Sequence, residues 1–260
     1  MNAYDEIDVA FYDYVSTGLT GDVQFYVEEA QKAGSPVLEL GCGTGRTLIP
    51  IAQAGLSVVG LDLSPDMLAR AEKKVAALDG AVQERVRLER GDMRSFSFGQ
   101  RFKLITIPYR AFLHLLTPED ERQALTCIRE HLAADGRLIF NIFDPNLEII
   151  TAHMGRLGPA LKKMQEFVHP ETSRRVVQWD TRHYDQEQQR LDMYFIYEEL
   201  DERGQVISKT YSSLTLRYVF RYEMQHLLEL CGYQVEALYG DFQRGPFRAG
   251  GEQIWVARKA

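Results

Sequence analysis

Cysteine is scarce in this chain. Cys42, Cys127 and Cys231 are the only three in 260 residues, and they are scattered. An odd, sparse set excludes a disulfide framework and shows no metal-ligand spacing. It suggests a reducing compartment, and a cytoplasmic location is expected. No apolar run approaches the length needed to span a membrane. The acidic start, Met1-Asn2-Ala3-Tyr4-Asp5-Glu6, has no long apolar core and does not read as a secretory signal. Excess positive charge is also missing. A net charge of −7 argues against a nucleic-acid partner, whose phosphates would demand a basic face. There is no internal repeat, low-complexity tract or proline-rich linker. What is present is 45% hydrophobic residues, with material for one large α/β domain or a domain with an elaboration.

The most informative stretch is Glu39-Leu40-Gly41-Cys42-Gly43-Thr44-Gly45. It follows the apolar Val37-Leu38 and precedes a helix-like run from Arg46 to Ala52. A strand that breaks into alternating glycines and then a helix brings bare backbone against a ligand. A dinucleotide fingerprint reads G-x-G-x-x-G. Here the third glycine comes one position early, and Arg46 occupies the dinucleotide slot. The strand Ser57–Asp62 then ends in an acid 21 residues after Gly41. A carboxylate there can accept both ribose hydroxyls of a nucleoside; the other reading is a helix cap, a role that Ser64 fits better. Gly91-Asp92-Met93 follows a short third strand.

Together these elements resemble the class I S-adenosylmethionine-dependent methyltransferases, whose pattern is E-x-G-x-G-x-G. The resemblance covers most of residues 37 to 143 and then 221 to 258. It implies that Gly41, Gly43 and Gly45 admit the methionine part of S-adenosylmethionine, and of its product S-adenosylhomocysteine. It implies that Asp62 holds ribose and Asp92 the adenine amino group, with Met93 against the ring. Leu63 and Met67 are placed to flank the nucleoside, or equally to fill the core. Tyr14 lies on a helix that often closes over the cofactor in this family; helix packing is its other reading.

The coarse organisation agrees with that resemblance. Two helical pieces in 5 to 33 precede strands Val37–Gly41, Ser57–Asp62, Val86–Glu89, Phe102–Ile107 and Arg137–Phe143. Helices alternate with them at Gly45–Ala54, from Ser64-Pro65 to about Leu78, and from Thr117-Pro118 to about Leu132. This predicts an α/β, Rossmann-like, seven-stranded mostly parallel sheet with helices on both faces. A helix at Arg221–Cys231 and a strand at Tyr233–Tyr239 precede the last strand, Gln253–Arg258, which the resemblance implies is antiparallel. Residues 146 to 172 read as irregular or helical. Residues 174 to 219 read as antiparallel strands with a turn at Asp201-Glu202-Arg203-Gly204. The expected division is 1–145 plus 220–260 as core and 146–219 as a lid or substrate-side insertion, rich in Trp179, Tyr184, Tyr194, Tyr197, Tyr211 and Tyr218. Similar additions occur in small-molecule N-methyltransferases, a weaker and architectural resemblance.

Methyl transfer is an in-line displacement at an activated sulfonium, so the catalytic set can be small. The segment after the fourth strand, Pro108-Tyr109-Arg110-Ala111-Phe112-Leu113-His114, is where an acceptor would meet the protein. Tyr109 can stack on or donate to the substrate, or simply pack. His114 is a candidate general base, or a satisfied structural histidine. Asp144 and Asn146 follow the fifth strand, but no acid follows the fourth, so no metal is expected. The polar first residue of the Asn/Asp-Pro-Pro-Tyr motif is missing at Ile107, which disfavours nucleic-acid or glutamine methylation. The expected partner is a small molecule, with transfer to N or O; the oligomeric state is not legible. An NAD-dependent oxidoreductase and a non-catalytic cofactor-binding regulator are the alternatives.

Overall fold

The computed structural model describes residues 6–152, 161–169 and 172–260. Expectations for 153–160 and 170–171 lie outside these residues. The chain forms two compact units, 18–145 with 219–260, and 2–17 with 146–218. The N-terminal helix therefore groups with the insertion rather than with the glycine-loop unit.

In chain order the elements begin with helices α1 (Glu6–Val15) and α2 (Asp22–Ala33), then β1 (Val37–Leu40), α3 (Leu48–Gln53), β2 (Val58–Asp62), α4 (Pro65–Ala76), α5 (Gly80–Gln83) and β3 (Val86–Arg90). They continue with β4 (Phe102–Ile107), a 3-10 turn (Ala111–His114), α6 (Pro118–His131), β5 (Leu132–Phe143) and α7 (Leu147–Ala152). Strands β6 (Lys162–Val168), β7 (Arg175–Asp185), β8 (Arg190–Leu200) and β9 (Val206–Arg217) follow, then α8 (Arg221–Leu230), β10 (Tyr233–Tyr239) and β11 (Glu252–Lys259).

The first unit holds a seven-stranded sheet in the order β10-β11-β5-β4-β1-β2-β3. Neighbours from β5 to β3 are parallel, and β11 runs antiparallel to both β5 and β10. The central strands are apolar because a parallel sheet is covered on both faces. All four residues of β1 are buried, as are five of six in β4. Phe25, Tyr26, Leu48, Ile51, Leu104 and Ile254 belong to the same core cluster. Helix starts follow their caps. The Ser64 hydroxyl accepts from the Met67 N–H and the Thr117 hydroxyl from the Asp120 N–H, each with proline at the first helical turn.

Three boundaries differ from expectation for identifiable reasons. Helix α3 starts at Leu48, not Gly45. Pro50 has no N–H and is tolerated only in the first turn, so an earlier start would put it in the helix interior. Strand β5 starts at Leu132, because Gly136 lets the chain pass β4 closely: a Cβ there would lie 2.8 Å from the Phe102 carbonyl oxygen. Strand β6 was expected to be irregular or helical. It is a charged edge strand whose pairing with β7 replaces intrinsic propensity.

The second unit is a four-stranded antiparallel sheet, β6-β7-β8-β9, together with α1. Phe11 of α1 stacks on Tyr197 of β8, with ring centroids 5.0 Å apart. The turn after β8 closes through the Asp201 N–H to the Gln205 carbonyl at 2.9 Å. Cys127, on α6, and Cys231, at the end of α8, are half-buried.

Candidate functional site

The parallel strands β1 to β5 end at one edge, so their following loops gather there. The loop after β1 is stitched to β2 by the N–H groups of Gly41 and Cys42, which both donate to the Leu61 carbonyl. Gly41, Gly43 and Gly45 all have positive φ, at 67°, 54° and 84°. That backbone favours glycine. At Gly41 the missing side chain also makes room for the turn after β4, since a Cβ would lie 2.7 Å from that of Ala111.

Asp62 ends β2 directly beside this loop. Its Oδ2 accepts the Gly43 N–H at 2.7 Å, and its Oδ1 accepts the Ser64 N–H at 2.9 Å. Burial raises its pKa, and the backbone donors from Ser64, Gly43 and Leu63 partly offset that. Each carboxylate oxygen still has a lone pair for a hydroxyl. Ser64 takes the helix-cap role on α4, which leaves Asp62 as an oriented acceptor at the strand end.

Leu63 is half-buried here, while Met67 in the first turn of α4 and Met93 after β3 are buried. Met93 Cε lies 3.8 Å from where a Gly41 Cβ would stand, so the loops after β1 and β3 meet. Asp92 is held by Arg94, which donates to Oδ2 at 2.6 Å and continues to Asp120 at 2.7 Å. Burial opposes ionisation of Asp92, but the Arg94 hydrogen bonds outweigh it and hold its pKa below the usual range. Asp92 is thus an anion whose charge is already balanced. It can serve a neutral ring amine as an acceptor.

The loop after β4 contains two consecutive left-handed residues, Tyr109 and Arg110, with φ of 52° and 66°. The Arg46 guanidinium stands over the Tyr109 ring, 5.0 Å from its centroid. His114 closes the 3-10 turn, and burial pulls its pKa down to about 4. Its imidazole is therefore neutral at pH 7, able to accept a hydrogen bond but weakly basic. Tyr14 belongs to the second unit, where it stacks on Phe167 at 6.2 Å. Among the described residues no cluster of three or more His, Cys, Asp or Glu side chains could hold a metal ion. No helix among them is long and apolar enough to cross a membrane.

Sequence reading assigned no role to several polar residues of this edge. Glu39, the first residue of the glycine motif, is fully buried; its Oε2 has no hydrogen-bond partner, and burial lifts its pKa to about 8 against the pull of Arg46. Arg46 is committed to Asp22 through two bonds, of 2.9 and 2.6 Å. Tyr26, Asn141 and Glu252 form a further hydrogen-bonded chain. The acid of Glu39 was visible in the motif. Asn141 was hidden by the apolar run around it.

A glycine loop after β1, an acid ending β2 and an antiparallel β11 beside β5 are the features that resemble the Rossmann-like methyltransferases. Residues 37–136 match the sequence model of the methyltransferase domain family. The cypemycin N-terminal methyltransferase of a Streptomyces species is 32% identical over 147 residues, which is 55% of this chain and 58% of that protein. The dTDP-3-amino-3,6-dideoxy-alpha-D-glucopyranose N,N-dimethyltransferase of Streptomyces fradiae is 33% identical over 118 residues, 45% of this chain and 43% of that protein. The chain thus spans about half the length of these curated relatives. The CcbJ methyltransferase structure from Streptomyces caelestis covers 97% of this chain and 96% of its own, with a TM-score of 0.80 and 22% identity. That likeness is one of fold.

Proposed function

We propose that the chain transfers a methyl group from S-adenosylmethionine to an amino group of a small molecule. The observation that carries this reading is Asp62, held at the end of β2 by the N–H groups of Gly43 and Ser64 beside three left-handed glycines. Asp62 accepts the ribose hydroxyls, Asp92 the adenine amino group, and Leu63, Met67 and Met93 flank the nucleoside. The glycine loop takes the methionine portion. Bound there, the cofactor supplies an activated methyl group, and the protein's task is alignment and exclusion of water.

Both curated relatives named above act at nitrogen, which favours N over O as the acceptor atom. An amine must reach the methyl group unprotonated. The neutral His114 imidazole serves as a hydrogen-bond acceptor that orients it, and Tyr109 shapes the approach. Residues 146 to 219 are read as the part that selects the acceptor, with Tyr14 contributed by the same unit. Net charge disfavours a nucleic-acid acceptor, and the protein is expected in the cytoplasm. The early third glycine works against an NAD-dependent oxidoreductase.

Calorimetry with S-adenosylmethionine, S-adenosylhomocysteine and NAD tests the cofactor. Binding of NAD alone would overturn the reading. An acceptor panel of nucleotide-linked amino sugars, peptide N-terminal amines and their hydroxyl analogues then tests the atom. Turnover of the hydroxyl analogues alone would move the assignment to O. Cofactor binding without turnover of any acceptor would favour the regulatory alternative.

A further inference from the structure

The left-handed pair Tyr109–Arg110 is a strained backbone for two non-glycine residues. Such a turn persists only if its surroundings hold it. Three contacts do so, all within the first unit. The Tyr109 N–H donates to Asn141 Oδ1 at 2.9 Å. Arg110 is ion-paired with Glu252. Arg46, itself clamped by Asp22, covers the Tyr109 ring.

Asn141 is the centre of this arrangement. It lies in β5, fully buried, one residue beyond the last pairing of β4 with β5. Its Oδ1 accepts from both the Tyr26 hydroxyl and the Tyr109 N–H, each at 2.9 Å. Its Nδ2 donates to Glu252 Oε2, also at 2.9 Å. The amide has one permitted orientation. A backbone N–H can only donate and a carboxylate can only accept, so a flipped amide would oppose donor to donor and acceptor to acceptor. The hydroxyl of Tyr26 is held protonated by burial and by the carboxylates of Asp22, Glu39 and Glu252, despite Arg46. It therefore remains a donor at physiological pH.

We propose that Asn141 is a positioning residue for methyl transfer. Through its side-chain amide, with Tyr26 and Glu252 fixing that amide, it sets the left-handed turn that presents Tyr109 and the following 3-10 turn to the acceptor. This rests on the methyltransferase reading for its consequence, but the turn itself can be followed without catalysis. Asn141 touches neither cofactor nor acceptor in this scheme; it acts through the Tyr109 backbone.

Asn141→Asp keeps the size and removes the Nδ2 donor. When ionised, the introduced carboxylate faces Glu252 as a like charge. When protonated, it restores the original pattern, donating to Glu252 and accepting from Tyr26 and Tyr109. Asn141→Leu lacks both states. Tyr26→Phe removes a single bond to the amide and is the milder control for folding.

The experiment measures amide exchange at Tyr109, S-adenosylhomocysteine affinity and turnover of the acceptor found in the panel above. In Asn141→Asp, Tyr109 exchange should accelerate and kcat fall by about tenfold to a hundredfold, the scale of a small misplacement. Cofactor affinity should stay within about twofold, well under the tenfold that 1.4 kcal/mol represents. Lowering the pH should raise the turnover of Asn141→Asp relative to wild type, and leave Asn141→Leu unrescued. Tyr26→Phe should move both readouts in the same direction by less. Unchanged Tyr109 exchange, unchanged kcat, or identical pH profiles for Asn141→Asp and Asn141→Leu would each overturn the proposal. Wild-type protein that binds no S-adenosylhomocysteine would instead break the methyltransferase reading, and the exchange measurement would still decide whether Asn141 holds the turn.

Discussion

The two sheets of this protein hide different things. Strands β1, β2 and β4 of the seven-stranded sheet bury Val, Leu, Ile and Phe on both faces. Strands β7 to β9 of the four-stranded sheet bury Gln178, Asp180, Ser212 and Arg217 among their apolar residues. Gln178 donates to the Tyr197 hydroxyl at 3.2 Å, Gln165 donates to Gln178 at 2.9 Å, and Asp180 accepts from Arg182 at 2.8 Å. An apolar core is held by area and shape, and its strands can be recognised one at a time. A polar interior is held by partners, and each side chain has meaning only with its neighbours in place. Under the proposed function, the first sheet is the cofactor platform and the second belongs to the part that selects the acceptor.

This contrast can be broken at several points. The largest effect is expected from Phe140→Ala, in β5 and fully buried. It should cost about 3–5 kcal/mol in urea unfolding, the usual range for deleting a buried aromatic. A cost under 1 kcal/mol would show that the platform is not tightly packed.

Glu39 is the exception inside the apolar sheet, and Glu39→Gln tests it. Its pKa is lifted from an unfolded value of 4.5 to about 8. Between those values the folded state holds a proton that the unfolded state has lost. Stability therefore falls as pH rises through that window and levels off above it. Removing the titration should make the variant gain on the wild type as pH rises from 5 to 8, by up to a few kcal/mol. Thermal melts at several pH values check this. Parallel pH profiles would mean that Glu39 is solvated or charged in the free protein.

Asp62→Ala should weaken cofactor binding by about 1.5–3 kcal/mol, the scale of hydrogen bonds to a charged group, while the protein still folds. Calorimetry reads it; unchanged affinity in a folded variant would make Asp62 only a link between the loop and β2. Gln178→Leu in the second unit should cost about 1 kcal/mol of stability for the lost hydrogen bonds. It should change acceptor KM and leave cofactor affinity alone. A shift in cofactor affinity would erase the division of labour between the two units. Tyr211→Ser, on an exposed position of β9, should fall within about 0.5 kcal/mol of wild type.

The sequence by itself determined the order of the α/β elements and the place of the glycine loop. The physical reason is that these depend on local features: buried parallel strands read as apolar runs, caps as serine or threonine before proline, and tight turns as glycine. It also brought Asp62 into view, because an acid ending an apolar strand has few other uses. Tertiary structure alone decided what the remaining polar groups do. Asp92 looks free in Gly91-Asp92-Met93 and is balanced by Arg94, which in turn reaches Asp120 on α6. His114 looks like a base and is made a weak one by burial. Strand β6 is charged enough to look irregular and becomes a strand by pairing with β7. Asn141 sits in an apolar run, and only the arrival of Tyr26, Tyr109 and Glu252 from three distant segments gives its amide an orientation. Hydrogen bonds and pKa shifts are set by atoms a few ångströms away in space, and for this chain those atoms lie up to 216 residues away along it.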